Sequence, residues 1–266
     1  MQSRIITVIL QTLDKAKRQA MREFESLHKV KIYEKSEGNY VSDADYKVEK
    51  IIIDELQRAI PGYNILSEEA GHIQGSAFNP EGYFEWVIDP IDGTSNFLRG
   101  GHYWCIAIAL KKVIKGKAEI IAGGISAPVL GDVYWAEVGK GAYLVDSNSQ
   151  QMRLRVSERK KLKECCFATS MHLNKHSNSA NIIDIIHNNK ASLRVCGATA
   201  LDMALLAKGR YDIVFSYDTK EWDIAAGIVI AKEAGAILRD YDNENAYLQK
   251  LNLIASNGNL INFEEV

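Results

Sequence analysis

The apolar residues near the start of the chain repeat at helical spacing. They are Ile5, Ile6, Ile9, Leu10, Leu13, Ala16 and Ala20. This spacing puts them on one face, so it predicts an amphipathic helix over residues 3–28 with a basic outer face. The polar stretch 33–40, which contains Gly38 and Asn39, then predicts a mobile loop or a hairpin.

A second helix is predicted to begin after Ser42, because serine is a good N-cap residue. Its apolar residues again share one face: Val48, Ile51, Ile52, Leu56 and Ile60. Pro61 and Gly62 follow and are typical of a helix end.

The pattern then changes to the alternation that is typical of strands. The predicted strands are 63–66, 84–88, 103–111, 118–126 and 132–137. Turn residues space them like an antiparallel meander. Beyond about residue 150 strands and helices alternate, which indicates α/β layering. Further strands are expected near 167–169, 193–195, 212–215, 236–239 and 253–255, and helices over 180–188, 199–208 and 223–234. We therefore expect an α+β half (1–150) and an α/β half (151–266) within one compact unit.

Composition narrows the class of protein. The chain has 266 residues, of which 47% are hydrophobic and 25% charged, and this is ordinary for a globular protein. The formal net charge of -2 gives no global attraction to nucleic acid or anionic membranes. The apolar stretch 5–10 is too short for a secretory core or a membrane span. No CxxC pair occurs among the four cysteines, so buried free thiols in a soluble cytoplasmic protein are expected.

An acidic run follows the strand predicted to end at Trp86-Val87-Ile88. Asp89 comes directly after it, and Pro90 is expected to stop the strand. Asp92 and Gly93 then predict a turn into a short helix. The turn brings two carboxylates and the Ile91 carbonyl within reach of one point.

Oxygen donors of this kind favour a hard cation such as Mg²⁺. Two cations that share a carboxylate lie about 3.5–4 Å apart and can clamp a phosphoryl group. The free amides of Gly93 and Thr94 at a helix start favour phosphate binding. The run therefore indicates a metal-dependent enzyme of phosphoryl transfer.

Four further acidic residues are compatible with the same site or with simpler roles. Glu68 and Glu69 follow a predicted strand and could form a solvated turn. Asp223 is compatible with a helix N-cap, and Asp45 with an acid in the first turn of a helix.

Together these motifs resemble those of the inositol monophosphatase family, within the lithium-sensitive, magnesium-dependent phosphatases. The motifs, in the family's order, are 43–45, the acidic pair 68–69, the run 89–97, the segment 197–203 and the segment 222–227. The resemblance covers nearly the whole chain. It implies a five-layer αβαβα sandwich, shared with fructose-1,6-bisphosphatase, a homodimer, and a Mg²⁺-dependent phosphomonoesterase acting on a small phosphorylated substrate.

The resemblance also implies roles for individual residues. Glu68, Asp89 and the Ile91 carbonyl would hold a first Mg²⁺. Asp89, Asp92 and Asp223 would hold a second Mg²⁺. A third Mg²⁺ would bind weakly at Glu68. Glu68 and Thr94 would orient the attacking water, with Asp45 as the partner of the Thr94 hydroxyl. The substrate-binding positions would be Asp92, Gly93, Thr94, Gly197, Thr199 and Ser216.

The sequence departs from the family pattern at the substrate side. Members that handle inositol usually carry a glutamate seven positions before the last metal-binding aspartate, where this chain has Ser216. Glu221, directly before Trp222 and Asp223, is similar to the residue at this position in members that hydrolyse the 3'-phosphate of adenosine bisphosphates. Arg99 stands where the family usually has a histidine. Three interpretations stay open. The first is an inositol or polyol phosphatase, and the second is a 3'(2'),5'-bisphosphate nucleotidase or fructose-1,6-bisphosphatase. The third is a regulatory protein that binds the transcription or ribosome-assembly machinery or nucleic acid.

Overall fold

Two capped helices open the fold. The computed structural model describes residues 3–36, 39–170, 177–242 and 244–260. Helix α1 (Arg4–Phe24) begins after Ser3, whose side chain accepts a hydrogen bond from the Ile6 N–H. Helix α2 (Asp43–Ala59) begins after Ser42, which forms a capping box with Asp45. Both predicted helices are confirmed, although the first ends before residue 28.

A hairpin of two short strands connects these helices. Strand β1 (Ile32–Ser36) pairs in antiparallel fashion with β2 (Asn39–Ser42). Of the two predictions made for 33–40, the hairpin is confirmed; Gly38 lies outside the described residues.

The large sheet follows, and its strand order is β10-β9-β8-β7-β6-β5-β3-β4. The strands are β3 (Asn64–Ser67), β4 (Gly71–Ile73), β5 (Gly82–Asp92), β6 (Cys105–Ile114), β7 (Lys117–Ala127), β8 (Asp132–Glu137), β9 (Gly141–Val145) and β10 (Gln151–Arg153). From β5 to β10 they form the predicted antiparallel meander. The prediction is wrong for β3 and β5, which pair in parallel, because β4 turns back along the sheet edge before β5 enters.

Strand β5 does not stop at Pro90, so that prediction is wrong. Asp89 pairs with Ala107 and Asp92 with Cys105, which leaves one extra residue on β5. This is a β-bulge, and it accommodates a proline because the bulged residue leaves the ladder of hydrogen bonds. The bulge lets one strand carry both Asp89 and Asp92.

The second half of the chain alternates helices and strands, as predicted. After the short α3 (Thr94–Leu98), the remaining helices are α4 (Ser177–Asn188), α5 (Thr199–Ala207), α6 (Glu221–Glu233) and α7 (Tyr247–Lys250). The small sheet has the order β12-β11-β13-β15-β14. Its strands are β11 (Cys166–Thr169), β12 (Ser192–Val195), β13 (Ile213–Ser216), β14 (Ile237–Arg239) and β15 (Leu253–Ser256).

The elements stack in the predicted five layers. Helices α1 and α2 pack on one face of the large sheet, and α5 and α6 lie on its other face against the small sheet. Ile182 and Ile186 of α4 join the cluster on the outer face of the small sheet. Close packing in the middle layer needs Gly227, because a Cβ there would lie 2.5 Å from the Met203 Cβ.

The proposed division near residue 150 stays a prediction, and β10 still belongs to the large sheet. Within the described ranges, no helix combines the length and the apolar content of a transmembrane span. The four cysteines are free: Cys105 and Cys165 are buried, and Cys166 and Cys196 are half-buried.

Candidate active site

Asp89 lies at the bulge of β5, where it is 2% exposed. Its Oδ1 accepts a hydrogen bond from the Ile91 N–H at 3.1 Å, a local contact across the bulge. Burial raises the pKa of Asp89 well above its ordinary value, because a charged carboxylate loses hydration there.

Other carboxylates raise the pKa of Asp89 further. In order of their effect, after burial, they are Glu68, Asp92, Asp223 and Asp45. These residues come from four separate parts of the chain. The fold therefore gathers around Asp89 the acidic side chains that the sequence proposed as one constellation.

Asp92 connects this cluster to the start of α5. Its Oδ1 accepts from the Thr199 N–H at 3.2 Å and its Oδ2 from the Ala200 N–H at 2.7 Å. Burial, and then Asp223, raise the pKa of Asp92 well above its ordinary value, against the effect of the Ala200 amide. The first amides of α5, which have no acceptor within the helix, thus stabilise the charged form of a buried acid.

The turn after β5 requires glycine. Gly93 has φ +93°, and a Cβ there would lie 3.1 Å from the carbonyl oxygens of both Gly197 and Tyr103. Asn96 fixes the same contact, since its Nδ2 donates to the carbonyls of Tyr103 and Cys196, each at 2.7 Å. The acidic run 89–97 and the segment before α5 are therefore held together.

Thr94 lies between two oxygen acceptors. Its Oγ1 is 3.0 Å from the Ile91 carbonyl oxygen and 3.3 Å from Asp45 Oδ1. Asp45 is fully buried, and its Oδ2 accepts from the Ser42 N–H at 2.9 Å and the Ser42 hydroxyl at 2.6 Å. Burial raises the pKa of Asp45 in spite of these bonds. Asp45 thus combines the capping role with the predicted contact to Thr94.

Asp223 is in the first turn of α6. Its Oδ2 accepts from the Lys220 N–H at 2.8 Å and from the Thr219 hydroxyl at 2.7 Å. Burial raises the pKa of Asp223, and the Lys220 amide opposes that shift. The capping role is thus present in the structure. The charge of the same carboxylate also raises the pKa of Asp89 and of Asp92.

Glu221 and Ser216 are placed differently from the cluster. Glu221 forms an ion pair of 2.7 Å with Lys111, which also pairs with Glu85 at 2.6 Å. Ser216 is buried at the end of β13. Within the residues that the structure describes, its side chain makes no hydrogen bond to the carboxylates. Sequence reasoning also missed Glu49, although its spacing of four from Asp45 puts both on one face of α2.

The donor set fits a hard divalent cation. Four carboxylates act on Asp89, and a bound cation would relieve their mutual repulsion. Burial raises the pKa of the nearby Cys105 thiol, so that thiol stays protonated and leaves oxygen as the available donor. As the side chains stand in the described parts of the chain, however, no group of three or more His, Cys, Asp or Glu residues is arranged so that it could hold a metal ion. The fit thus rests on charge and donor chemistry.

Comparison with known proteins agrees with this arrangement. The model of the inositol monophosphatase family matches residues 1–265. A Mesorhizobium japonicum protein named inositol-1-monophosphatase is 34% identical over 258 residues, which cover 96% of this chain and 92% of that protein. A Pseudomonas aeruginosa protein named Nus factor SuhB is 32% identical, with coverage of 95% and 91%. The crystal structure of the extragenic suppressor protein SuhB from Bartonella henselae has a TM-score of 0.87 and 34% identity, and covers 99% of this chain and 98% of that one.

Proposed function

The chain belongs to the inositol monophosphatase family, a family of phosphatases that generally depend on a metal, and from this premise we propose that it is a Mg²⁺-dependent phosphomonoesterase. Its proposed substrate is inositol 1-phosphate or a related small polyol or sugar phosphate. The observation that carries the proposal is the set of carboxylates that the fold gathers around the buried Asp89.

The proposed ligands follow the family motif. Glu68, Asp89 and the Ile91 carbonyl would hold one Mg²⁺, and Asp89, Asp92 and Asp223 a second. A third, weakly bound ion would lean on Glu68. When bound, Mg²⁺ would neutralise phosphate charge and make a coordinated water more acidic. The buried carboxylates would keep these positions fixed through the reaction.

Thr94 and Asp45 are proposed to handle the proton of the attacking water. The Thr94 hydroxyl can donate to Asp45 Oδ1 while its oxygen accepts a proton from water. Burial raises the pKa of Asp45, which makes its carboxylate a stronger base than an exposed aspartate. Glu68 would orient the same water, and no covalent phosphoenzyme is required.

The substrate is proposed to lie against the glycine turn and the start of α5. The amides of Gly93 and Thr94 would contact the phosphate. Asp92 would accept hydrogen bonds from the alcohol side, where Gly197, Thr199 and Ser216 are also proposed to lie. Glu221 gives little support to a 3'(2'),5'-bisphosphate nucleotidase, because its carboxylate pairs with Lys111. Fructose 1,6-bisphosphate remains an alternative substrate.

A phosphate-release panel tests this proposal. Inositol 1-phosphate, fructose 1,6-bisphosphate and adenosine 3',5'-bisphosphate are compared with Mg²⁺ and with excess EDTA, and Asp89→Asn controls for contaminating phosphatase. We expect release only with Mg²⁺, and fastest from inositol 1-phosphate. Full phosphate release in EDTA would contradict the metal site. Faster release from another substrate would show that the alcohol group of the substrate has been assigned wrongly.

The Pseudomonas aeruginosa relative named Nus factor SuhB favours a second candidate function. We propose that this chain also binds a component of the transcription or ribosome-assembly machinery. Affinity capture with wild-type protein and with Asp89→Asn tests this, because binding that does not need catalysis should survive the substitution. Light scattering on the purified protein tests the proposed homodimer.

A further inference from the structure

Glu49 is a buried carboxylate outside the carboxylate cluster around Asp89. It lies on α2 and is 4% exposed. Its Oε1 accepts three hydrogen bonds: one from the Ser67 hydroxyl, one from the Glu69 N–H at 3.0 Å, and one from the Ala70 N–H at 3.1 Å. A single oxygen of Glu49 thus holds the turn that follows β3.

The three donors lie on both sides of Glu68 in the chain. Ser67 precedes it, Glu69 and Ala70 follow it, and the Glu68 N–H itself donates to the Ile88 carbonyl at 3.3 Å. The backbone of Glu68 is therefore fixed relative to the strand that carries Asp89. Hydrogen bonds to a charged acceptor are about twice as strong as neutral ones, so Glu49 is well suited to set this geometry.

Packing alone would not call for a carboxylate at this position. The neighbouring buried residues Val48 and Ile52 are apolar, and a buried charge costs free energy unless polar donors surround it. Among the described residues, the donors to Glu49 come from the turn around Glu68. The charge is thus matched to that turn.

We propose that Glu49 is a positioning residue that sets the place of Glu68 for metal binding. Asp45, one helical turn earlier, accepts a hydrogen bond directly from the Thr94 hydroxyl at 3.3 Å. One face of α2 thereby aligns two of the groups assigned to the attacking water. The inference rests on the proposed function in that Glu68 is taken as a metal ligand.

The test measures metal affinity in folded protein. Mn²⁺ binding is followed by electron paramagnetic resonance in wild type, Glu49→Ala, Glu49→Gln and Ser67→Ala. Loss of an outer partner of a metal ligand typically weakens metal binding by about 10- to 100-fold, and we expect this for Glu49→Ala. Glu49→Gln keeps an acceptor oxygen and Ser67→Ala removes one donor, so both should show smaller losses. Glu55→Ala, on the same helix but paired with Lys15 and Arg58, is the matched control and should bind Mn²⁺ like wild type.

A double-mutant cycle separates positioning from general stability. In a Glu68→Gln background, Glu49→Ala should weaken Mn²⁺ binding no further, because its effect passes through Glu68. Equal losses in both backgrounds, or unchanged affinity in folded variants, would overturn the inference. If Glu49→Ala does not fold, unchanged affinity in both Glu49→Gln and Ser67→Ala would overturn it. Absent phosphatase activity with intact Mn²⁺ binding would instead reject the proposed function alone.

Discussion

Thr94 Oγ1 lies 3.3 Å from Asp45 Oδ1, although 49 positions separate the two residues in the chain. The contact joins the first turn of α2 to the first turn of α3. Ser42 saturates Oδ2 of Asp45 through its N–H and its hydroxyl, which leaves Oδ1 directed at Thr94. A helix cap therefore also orients the carboxylate that we propose as the proton acceptor.

The first prediction tests this pair. Thr94→Val removes the hydroxyl with little change in volume, and turnover should fall by roughly 10²- to 10⁴-fold, the contribution expected of a positioned proton-transfer group. The Mg²⁺ concentration for half-maximal activity should change much less. Thr94→Ser keeps the hydroxyl and is the control, which should retain most of the turnover. A Thr94→Val enzyme that turns over like Thr94→Ser would remove Thr94 from the proposed mechanism.

Periodicity explains why most of the fold could be predicted. The apolar faces of α1 and α2 and the alternating strands are set by neighbours in sequence, so the pattern alone locates them. The course of β5 through Pro90 depends on pairing with β6, and the direction of β3 depends on the edge strand β4. Neither relationship is written in local sequence.

The candidate site also contains residues that local motifs predict and residues that only the fold brings together. The acidic residues could be proposed because their motifs are compact and carry metal chemistry. Glu49 and the pairing of Glu221 with Lys111 could not, because each depends on contacts between distant elements. Sequence reasoning thus found the groups proposed for chemistry and missed the groups that hold them.

The second prediction concerns Asp89, which we propose as the ligand shared by both metals. Asp89→Asn should lower turnover by about 10³-fold or more, because it removes a charge that stabilises the transition state through the metals. Glu69→Gln is the matched change in the neighbouring acidic pair and should be mild. Steady-state phosphate release measures both. Equal losses would indicate that the acidic pair has been assigned in the wrong register.

The third prediction is about stability and uses the ion pairs of Lys111. Lys111→Met would leave Glu85 and Glu221 without their shared cation, and both of these acids are largely buried. Breaking a buried pair in this way typically costs about 3–5 kcal/mol of the free energy of unfolding. Lys15→Met, which breaks an exposed pair with Glu55, should cost less than about 1 kcal/mol.

Denaturant unfolding of both variants measures these costs. A loss for Lys111→Met no greater than that for Lys15→Met would mean that the three charges are solvated rather than mutually dependent.

The fourth prediction is a pH dependence that arises from Asp202. Tyr103 donates to its Oδ1 at 2.5 Å and Ser170 to its Oδ2 at 2.7 Å, yet burial raises its pKa from 3.8 to about 6. The folded state therefore binds the proton more tightly than the unfolded state. It follows that the free energy of unfolding falls as pH rises from about 4 to about 6 and stays lower above that range.

The expected fall in the free energy of unfolding follows from about 1.4 kcal/mol per pKa unit. For the shift of Asp202 this gives roughly 3 kcal/mol. Asp202→Asn cannot ionise, so its free energy of unfolding should vary less over this range than that of wild type. Both proteins are unfolded with denaturant in EDTA, so that metal binding does not contribute. Identical pH profiles would exclude Asp202 as the source.

The last prediction concerns Ser216, where members that handle inositol usually carry a glutamate. A carboxylate that accepts hydrogen bonds from substrate hydroxyls contributes about 1.5–3 kcal/mol, so inositol 1-phosphate should bind this chain about one to two powers of ten more weakly. Ser216→Glu should lower the KM for inositol 1-phosphate and leave kcat nearly unchanged.

Ser216 is 3% exposed, so a larger side chain must be accommodated. Ser216→Gln therefore controls for size without charge. Equal KM changes in both variants, or equal effects on fructose 1,6-bisphosphate, would mean that this position does not select the alcohol. Asp218, an exposed residue with φ +53° in the segment before α6, would then be the next carboxylate to test.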